Sequence, residues 1–107
     1  MLCRNEVVLQ GRIGGEVLYR KTTDGRPYSS FCVNIEPPAN KLERGSRSLQ
    51  IIRVMVFDKA LVEYLAENHA REGRVVYIEA YINSRSTERR GAIFVQNNVI
   101  ARKIKFV

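Results

Sequence analysis

Between its Gly, Pro and Asp interruptions the chain alternates apolar and polar residues, which is the period of a strand with two unlike faces. Asn5 to Ile13 opens the series. Val7, Leu9 and Ile13 mark one face, and Gly11 inside the run signals a bulge or tight bend. Gly14-Gly15 allows a sharp turn, Val17 to Lys21 resumes as strand, and Thr22 to Pro27 turns about Asp24-Gly25. Tyr28 to Ile35 sets Phe31, Val33 and Ile35 against Cys32 and Asn34. Pro37-Pro38 ends it, and 37 to 48 reads as a polar, basic loop. In Leu49 to Phe57, Ile52, Val54 and Val56 point inward, while Leu49, Ile51, Arg53, Met55 and Phe57 form the opposite row.

The period then changes. Asp58 is placed to cap a helix with Ala60, Leu61, Tyr64 and Leu65 as its apolar stripe, ending near Glu72-Gly73. Val75 to Ile82 returns to alternation, with Val76, Ile78, Ala80 and Ile82 on one side and Tyr77, Glu79 and Tyr81 on the other. Asn83 to Gly91 reads as a basic connection. Ala92 to Val95 and Val99 to Phe106 are final strands, with Asn97-Asn98 as a bend between them. Five or so strands, a helix between the third and fourth, and glycine near the bends predict an all-β fold, a five-stranded OB barrel. A ferredoxin-like fold needs a second helix, and a long β meander leaves the capped helix unexplained. At 107 residues the expectation is a single OB-fold domain spanning 1–107.

A formal net charge of +7 is large for this length and favours a polyanionic partner. No apolar run approaches a transmembrane helix, so no membrane partner is expected, and Met1 to Gly11 is too short and polar for a signal peptide. Cys3 and Cys32 have no metal-ligand spacing, and Cys32 reads as a small buried filler. Glu16, Asp24, Glu36, Glu43, Asp58, Glu79, Glu88 and the lone His69 form no acid–base or metal motif. The phosphate loop and nucleophile elbow are also missing, so neither an enzyme nor a cofactor is expected.

With these elements placed, the chain resembles the single-stranded DNA-binding protein family of bacteria and mitochondria. Asn5-Glu-Val-Val-Leu-Gln-Gly-Arg-Ile-Gly-Gly-Glu16 resembles that family's first strand and bend. Arg53-Val-Met-Val-Phe-Asp-Lys-Ala60 resembles the third strand leading into the helix. Tyr64-Leu65 and Glu72-Gly-Arg-Val-Val-Tyr-Ile-Glu79 resemble the helix end and fourth strand. The resemblance implies an OB fold that assembles as dimers or tetramers and coats single-stranded DNA. A related branch serves organellar RNA-editing assemblies, where some members chiefly join protein subunits, and an organellar setting such as the mitochondrion follows from these branches. Set against the family pattern, a stacking Trp falls on Ile51, an assembly His on Ile52, a second Trp near Thr87, and a Gly on Ala80, while Phe57 keeps the family's aromatic. The chain has no Trp at all and ends in Ile104-Lys-Phe-Val107, where bacterial members carry an acidic tail.

Single strands are held by cations along the backbone and by rings under the bases. The candidate binding residues are therefore Arg12, Arg20, Lys21 and Arg26 about the first hairpin, Lys41, Arg44 and Arg47 in the middle loop, Arg53 on the outward row, and Arg85, Arg89 and Arg90 in the later loop. Phe57 is the leading stacking candidate, followed by Tyr28, Tyr77 and Tyr81. Two functions follow. One is binding of single-stranded DNA or RNA with weak sequence selectivity, within a larger processing assembly. The other is a structural adaptor in which Leu49, Ile51, Met55, Tyr77 and Tyr81 form a protein interface. In both, the outer barrel face serves homo- or hetero-oligomer contacts.

Overall fold

Alternating strands with one apolar face each bury those faces together only if the sheet curls on itself. The computed structural model describes residues 3–36 and 50–107. They form β1 (Val7–Ile13), β2 (Leu18–Lys21), β3 (Pro27–Ile35), β4 (Gln50–Val56), α1 (Lys59–Glu67), β5 (Val75–Arg89) and β6 (Ala92–Phe106). The sheet runs β1-β5-β6-β4-β3-β2, and a further β1–β3 pairing closes the ring. All pairings are antiparallel except β4–β6, which is parallel at Val54↔Val99 and Met55↔Ile100.

The count is six strands rather than five. β1 and β2 both lie along β3, through Ile13↔Val33 and Leu18↔Ser30. They act as two halves of one bent barrel strand with extra residues looped out at Gly14-Gly15. Counted that way the barrel is five-stranded, and the helix follows its third strand. Gly11 permits the bend. A Cβ there would lie 2.4 Å from the Asn34 carbonyl oxygen and 2.9 Å from Val33 Cγ1, so only glycine lets β1 cross from β5 to β3. Upstream, Asn5 prolongs the β1–β5 ladder with its side chain: Nδ2 donates to the Ile82 carbonyl at 2.6 Å, and Oδ1 accepts from the Ile82 N–H at 2.8 Å.

Ile13, Phe31, Val33, Val54, Val56, Val76, Ile78 and Leu65 fill the barrel, all essentially without solvent contact. Asp58 caps α1, its carboxylate accepting from the Ala60 N–H at 2.8 Å. The helix stops at Glu67, short of the Glu72-Gly73 expected, and its buried residues are Val62 and Leu65, with Ala60 exposed. Gly73 serves the turn into β5, at φ +91. Phe106 stacks on Tyr64 at 5.6 Å and lies under the Arg74 guanidinium at 4.0 Å, which ties helix to C-terminal strand.

The largest departure from expectation is at residues 83–91 and 96–98, on either side of Ala92 to Val95, which is strand as expected. The basic connection and the bend at Asn97-Asn98 are instead two paired strands, in register from Ile82↔Val99 to Arg89↔Ala92. The strands are joined by Arg90 (φ 52) and Gly91 (φ 77), both with the positive φ that a two-residue type I′ turn requires. Ser84 Oγ donates to Asn97 Oδ1 at 2.6 Å across the ladder. Alternation failed to reveal this hairpin because it leaves the barrel: 82–97 are all exposed, so no face of it needs apolar residues. For the same reason Ile82, expected inside, is 42% exposed at the barrel rim.

Candidate nucleic-acid interface

The outward faces of β2, β3 and β4 lie side by side, and register fixes which residues share them. Ser30 pairs with Leu18 on one side and Met55 on the other, and Cys32 pairs with Arg53. Met55 in turn neighbours Ile100 on β6, which pairs with Tyr81 on β5. A row of small and apolar groups thus crosses the sheet outside the core. Above it opens a shallow hollow of about 270 Å³ lined by Leu18, Arg20, Tyr28, Ser30, Arg53, Met55, Gln96 and Asn98. Its floor is apolar or hydroxylic, and it carries two guanidinium groups.

Phe57, just beyond β4, reaches back over β3. Its ring stacks on Tyr28 with centroids 5.6 Å apart and an interplanar angle of 28°. Phe57 remains 47% exposed, so a ring face is open at the edge of the hollow. Beside it, Tyr19, Arg20, Lys21, Pro27, Tyr28 and Val62 line a second, mainly apolar depression. Partial burial pushes the Tyr19 hydroxyl above its ordinary pKa. The β2–β3 turn is tied by its own side chains. Thr22 Oγ1 donates to Asp24, and Arg26 Nε donates to Asp24 Oδ2 at 2.9 Å. The Thr22 hydrogen bond, with smaller help from the local backbone and Arg26, holds the Asp24 carboxyl below its ordinary pKa.

The candidates therefore separate. Arg20, Tyr28, Arg53 and Phe57 come together about one hollow, with Lys21 at its margin. Arg12 lies elsewhere: Nη1 donates to the Gly73 carbonyl at 3.1 Å, bracing the turn before β5. Arg26 is paired within its turn. Tyr77 and Tyr81 are half-buried on the outward row of β5, and Tyr81 lies under the Arg102 guanidinium at 4.5 Å. Arg85 and Arg89 stand on the strands of the hairpin and Arg90 in its turn, rather than in a loop. Lys41, Arg44, Arg47 and Leu49 lie outside the described residues. Of the other interface candidates, Ile51 is 65% exposed and Met55 floors the hollow. Cys32 is half-buried on this outer face rather than in the core, and both cysteines are free thiols.

Sequence reading missed Gln96, Asn98 and Phe94. Their signal was the continuity of β5 and β6 past the barrel, which the Asn97-Asn98 pair masked. Among the described residues no helix is long and apolar enough to cross a membrane.

The fold is similar to that of the Plasmodium falciparum SSB, solved in complex with ssDNA. The TM-score is 0.77, with 20% identity over 100% of this chain and 97% of that one. It is also similar to Rim1, the mitochondrial single-stranded DNA binding protein of S. cerevisiae, with a TM-score of 0.73 and 19% identity over 99% of this chain and 96% of that one. At such identities these likenesses establish the OB architecture. The sequence itself matches the model of the single-strand binding protein family over residues 4–107. This chain belongs to the single-strand binding protein family.

Proposed function

We propose that the chain binds single-stranded nucleic acid, without catalysis and with weak sequence selectivity, across the outer hollow of its barrel. The observation that carries this reading is the meeting of Arg20 and Arg53 with the stacked Tyr28–Phe57 pair on one exposed sheet face. Guanidinium groups neutralise phosphates, and an open ring face accepts a base of any identity. Among the described residues no carboxylate lines the hollow to oppose a polyanion. The apolar floor of Leu18 and Met55 suits the flat face of a base more than a phosphate. Duplex is a poorer ligand, because paired bases cannot turn their faces to the Tyr28–Phe57 edge.

Family membership favours strand binding over a purely structural adaptor. Assembly is compatible with it. Val8, 56% exposed on β1, pairs with Glu79 on the outward face of β5, leaving the β1–β5 side of the barrel for further copies or other subunits.

The test is fluorescence anisotropy with matched single-stranded DNA, single-stranded RNA and duplex probes at low and moderate salt, on protein of known oligomeric state. Single-strand binding that exceeds duplex binding and weakens as salt rises is the expected result. Folded protein that binds neither single strand at low salt would refute the proposal.

A further inference from the structure

β2 is the last strand of the sheet. Leu18–Lys21 pair with β3, and among the described residues no strand lies on the other side. The hairpin decides which backbone groups face that open edge. The Thr22 N–H donates to the Arg26 carbonyl at 2.8 Å, which makes Thr22 and Arg26 a hydrogen-bonded pair. Antiparallel pairs alternate between bonded and non-bonded. Counting back along the register, Lys21↔Pro27 is non-bonded, Arg20↔Tyr28 bonded, Tyr19↔Ser29 non-bonded and Leu18↔Ser30 bonded. Pro27, which has no N–H, stands where none is needed. The N–H and C=O groups of Tyr19 and Lys21 therefore point away from β3, as a short row of alternating donors and acceptors.

The side chains beside this edge differ on its two faces. Tyr19 and Lys21 share one face with Pro27, and Arg20 shares the other with Tyr28. With Val62 of α1 they line the mainly apolar depression, whose volume is about 350 Å³. The helix packs on β3 and β6, and Tyr19 stays 46% exposed, so α1 does not close the edge. Among the described residues no carboxylate lines the depression, and the carboxylate of Asp24 in the adjoining turn is held by Thr22 and Arg26. A short strand ending in lysine deters pairing by apolar strands. The same lysine, with Arg20, selects a strand that carries carboxylates.

We propose that the β2 edge docks an extended acidic segment of a partner protein, which adds to the sheet as a further strand. Main-chain hydrogen bonds to Tyr19 and Lys21 hold the segment, and the flanking depression chooses its side chains. Successive side chains of a strand point to opposite faces. An apolar residue set against Tyr19 and Val62 thus turns its neighbours toward Arg20, and alternating apolar and acidic residues fit this edge. A nucleic acid has no such series of donors and acceptors. A second copy of β2 across a two-fold axis would crowd two Arg20 and two Lys21 side chains together.

The experiment is an NMR titration of the whole protein with acetyl-Glu-Val-Glu-Phe-Glu-Val-Glu-amide, reading affinity and the solvent exchange of single amides. The peptide is expected to slow exchange at Tyr19 and Lys21 and to leave Arg20, already bonded to Tyr28, unchanged. Two further peptides carry N-methyl groups, one on Val, Phe and Val, the other on the four Glu. Only one set of amides faces β2, so one of these peptides should lose about tenfold or more, the weight of the main-chain hydrogen bonds, while the other binds as the parent does. Tyr19→Ser should bind the parent severalfold more weakly. Equal affinities of the two methylated peptides would overturn the proposal, as would no binding of the parent or equal binding of a peptide with Lys in place of Glu. Slow exchange at Tyr19 and Lys21 without peptide that quickens on dilution would overturn it in favour of a second copy. The peptides contain no nucleic acid, and titrating the same protein with an oligothymidylate reports the strand-binding reading separately.

Discussion

The ring of Phe57, leaving β4, stacks on that of Tyr28, entering β3, at 5.6 Å and 28°. Neither ring belongs to the core, yet each fixes the other. Phe57 is thereby held beside the hollow that Tyr28 lines, 47% exposed. Replacing Phe57 by Ala is expected to weaken single-strand binding by about 1–3 kcal/mol, the range for one stacked base. Tyr28→Ala should cost a similar amount, because it frees the Phe57 ring. The double variant should lose less than the sum of the two, since the rings act as a unit. Anisotropy titrations of the three variants measure this, and full additivity would show that the rings bind independently. The thermal midpoint should move little for Phe57→Ala, whose ring is 47% exposed.

Arg53 and Arg12 are both outward-facing arginines of the barrel and should behave differently. Arg53 lines the hollow, whereas Arg12 donates to the Gly73 carbonyl. For Arg53→Gln the slope of log affinity against log salt is expected to shrink by about 0.7, the share of one phosphate contact on a single strand. Affinity should fall equally for different base sequences. Arg12→Gln should leave that slope unchanged and lower the denaturant midpoint. Titrations at four or five salt concentrations, with a urea melt of each variant, separate the two roles.

Cys32 is a built-in reporter of the hollow. It pairs with Arg53 on the outer face and is half-buried, whereas Cys3 precedes β1 and is exposed. Saturating single-stranded DNA should slow alkylation of Cys32 severalfold while Cys3 reacts at its free rate. Peptide mass spectrometry over a time course of iodoacetamide labelling reads both thiols at once. Equal protection of the two would point to aggregation or wholesale burial rather than to a strand lying across β3 and β4.

Gly11→Ala tests the barrel closure rather than the site. The added methyl would meet the Asn34 carbonyl oxygen at 2.4 Å, and a main-chain oxygen in a paired strand has little freedom to move. The expected destabilisation is about 1–3 kcal/mol, as for other overpacked positions. In a domain of this size it lowers the melting midpoint by several degrees for each kcal/mol. Calorimetry measures it directly, and an unchanged midpoint would mean that β1 does not approach β3 at this point.

Alternation alone was enough to read the barrel. Val54 and Val56 inward with Arg53, Met55 and Phe57 outward, Asp58 as helix cap, and the bend at Gly11 were all legible, because each follows from a local rule of period, capping or backbone freedom. The helix end was less legible: Gly73 is a stop signal, but the helix closes at Glu67 and Gly73 serves the next turn. Ala92 to Val95 is legible as strand, but Asn83 to Gly91 and Asn97-Asn98 read as loop and bend because solvent bathes both faces of the hairpin, and a strand with no core to face carries no apolar period. Basic residues were legible as a class, but their grouping was not.

What the sequence by itself determined is therefore the set of strands that bury a face, the helix between them, and the chemistry available on the outward rows, since all three are short-range properties of the chain. Only the tertiary structure decided that Arg20, Tyr28 and Arg53 share one hollow with Phe57 stacked on Tyr28 beside it, that Arg12 is turned to the Gly73 carbonyl instead, and that Phe94 stands on the continuation of the hollow's face. These depend on register between β2, β3, β4 and β6. Register is set by how distant strands pair and by where a single bulge, such as that at Glu79/Ala80, shifts the ladder, and no local pattern encodes it.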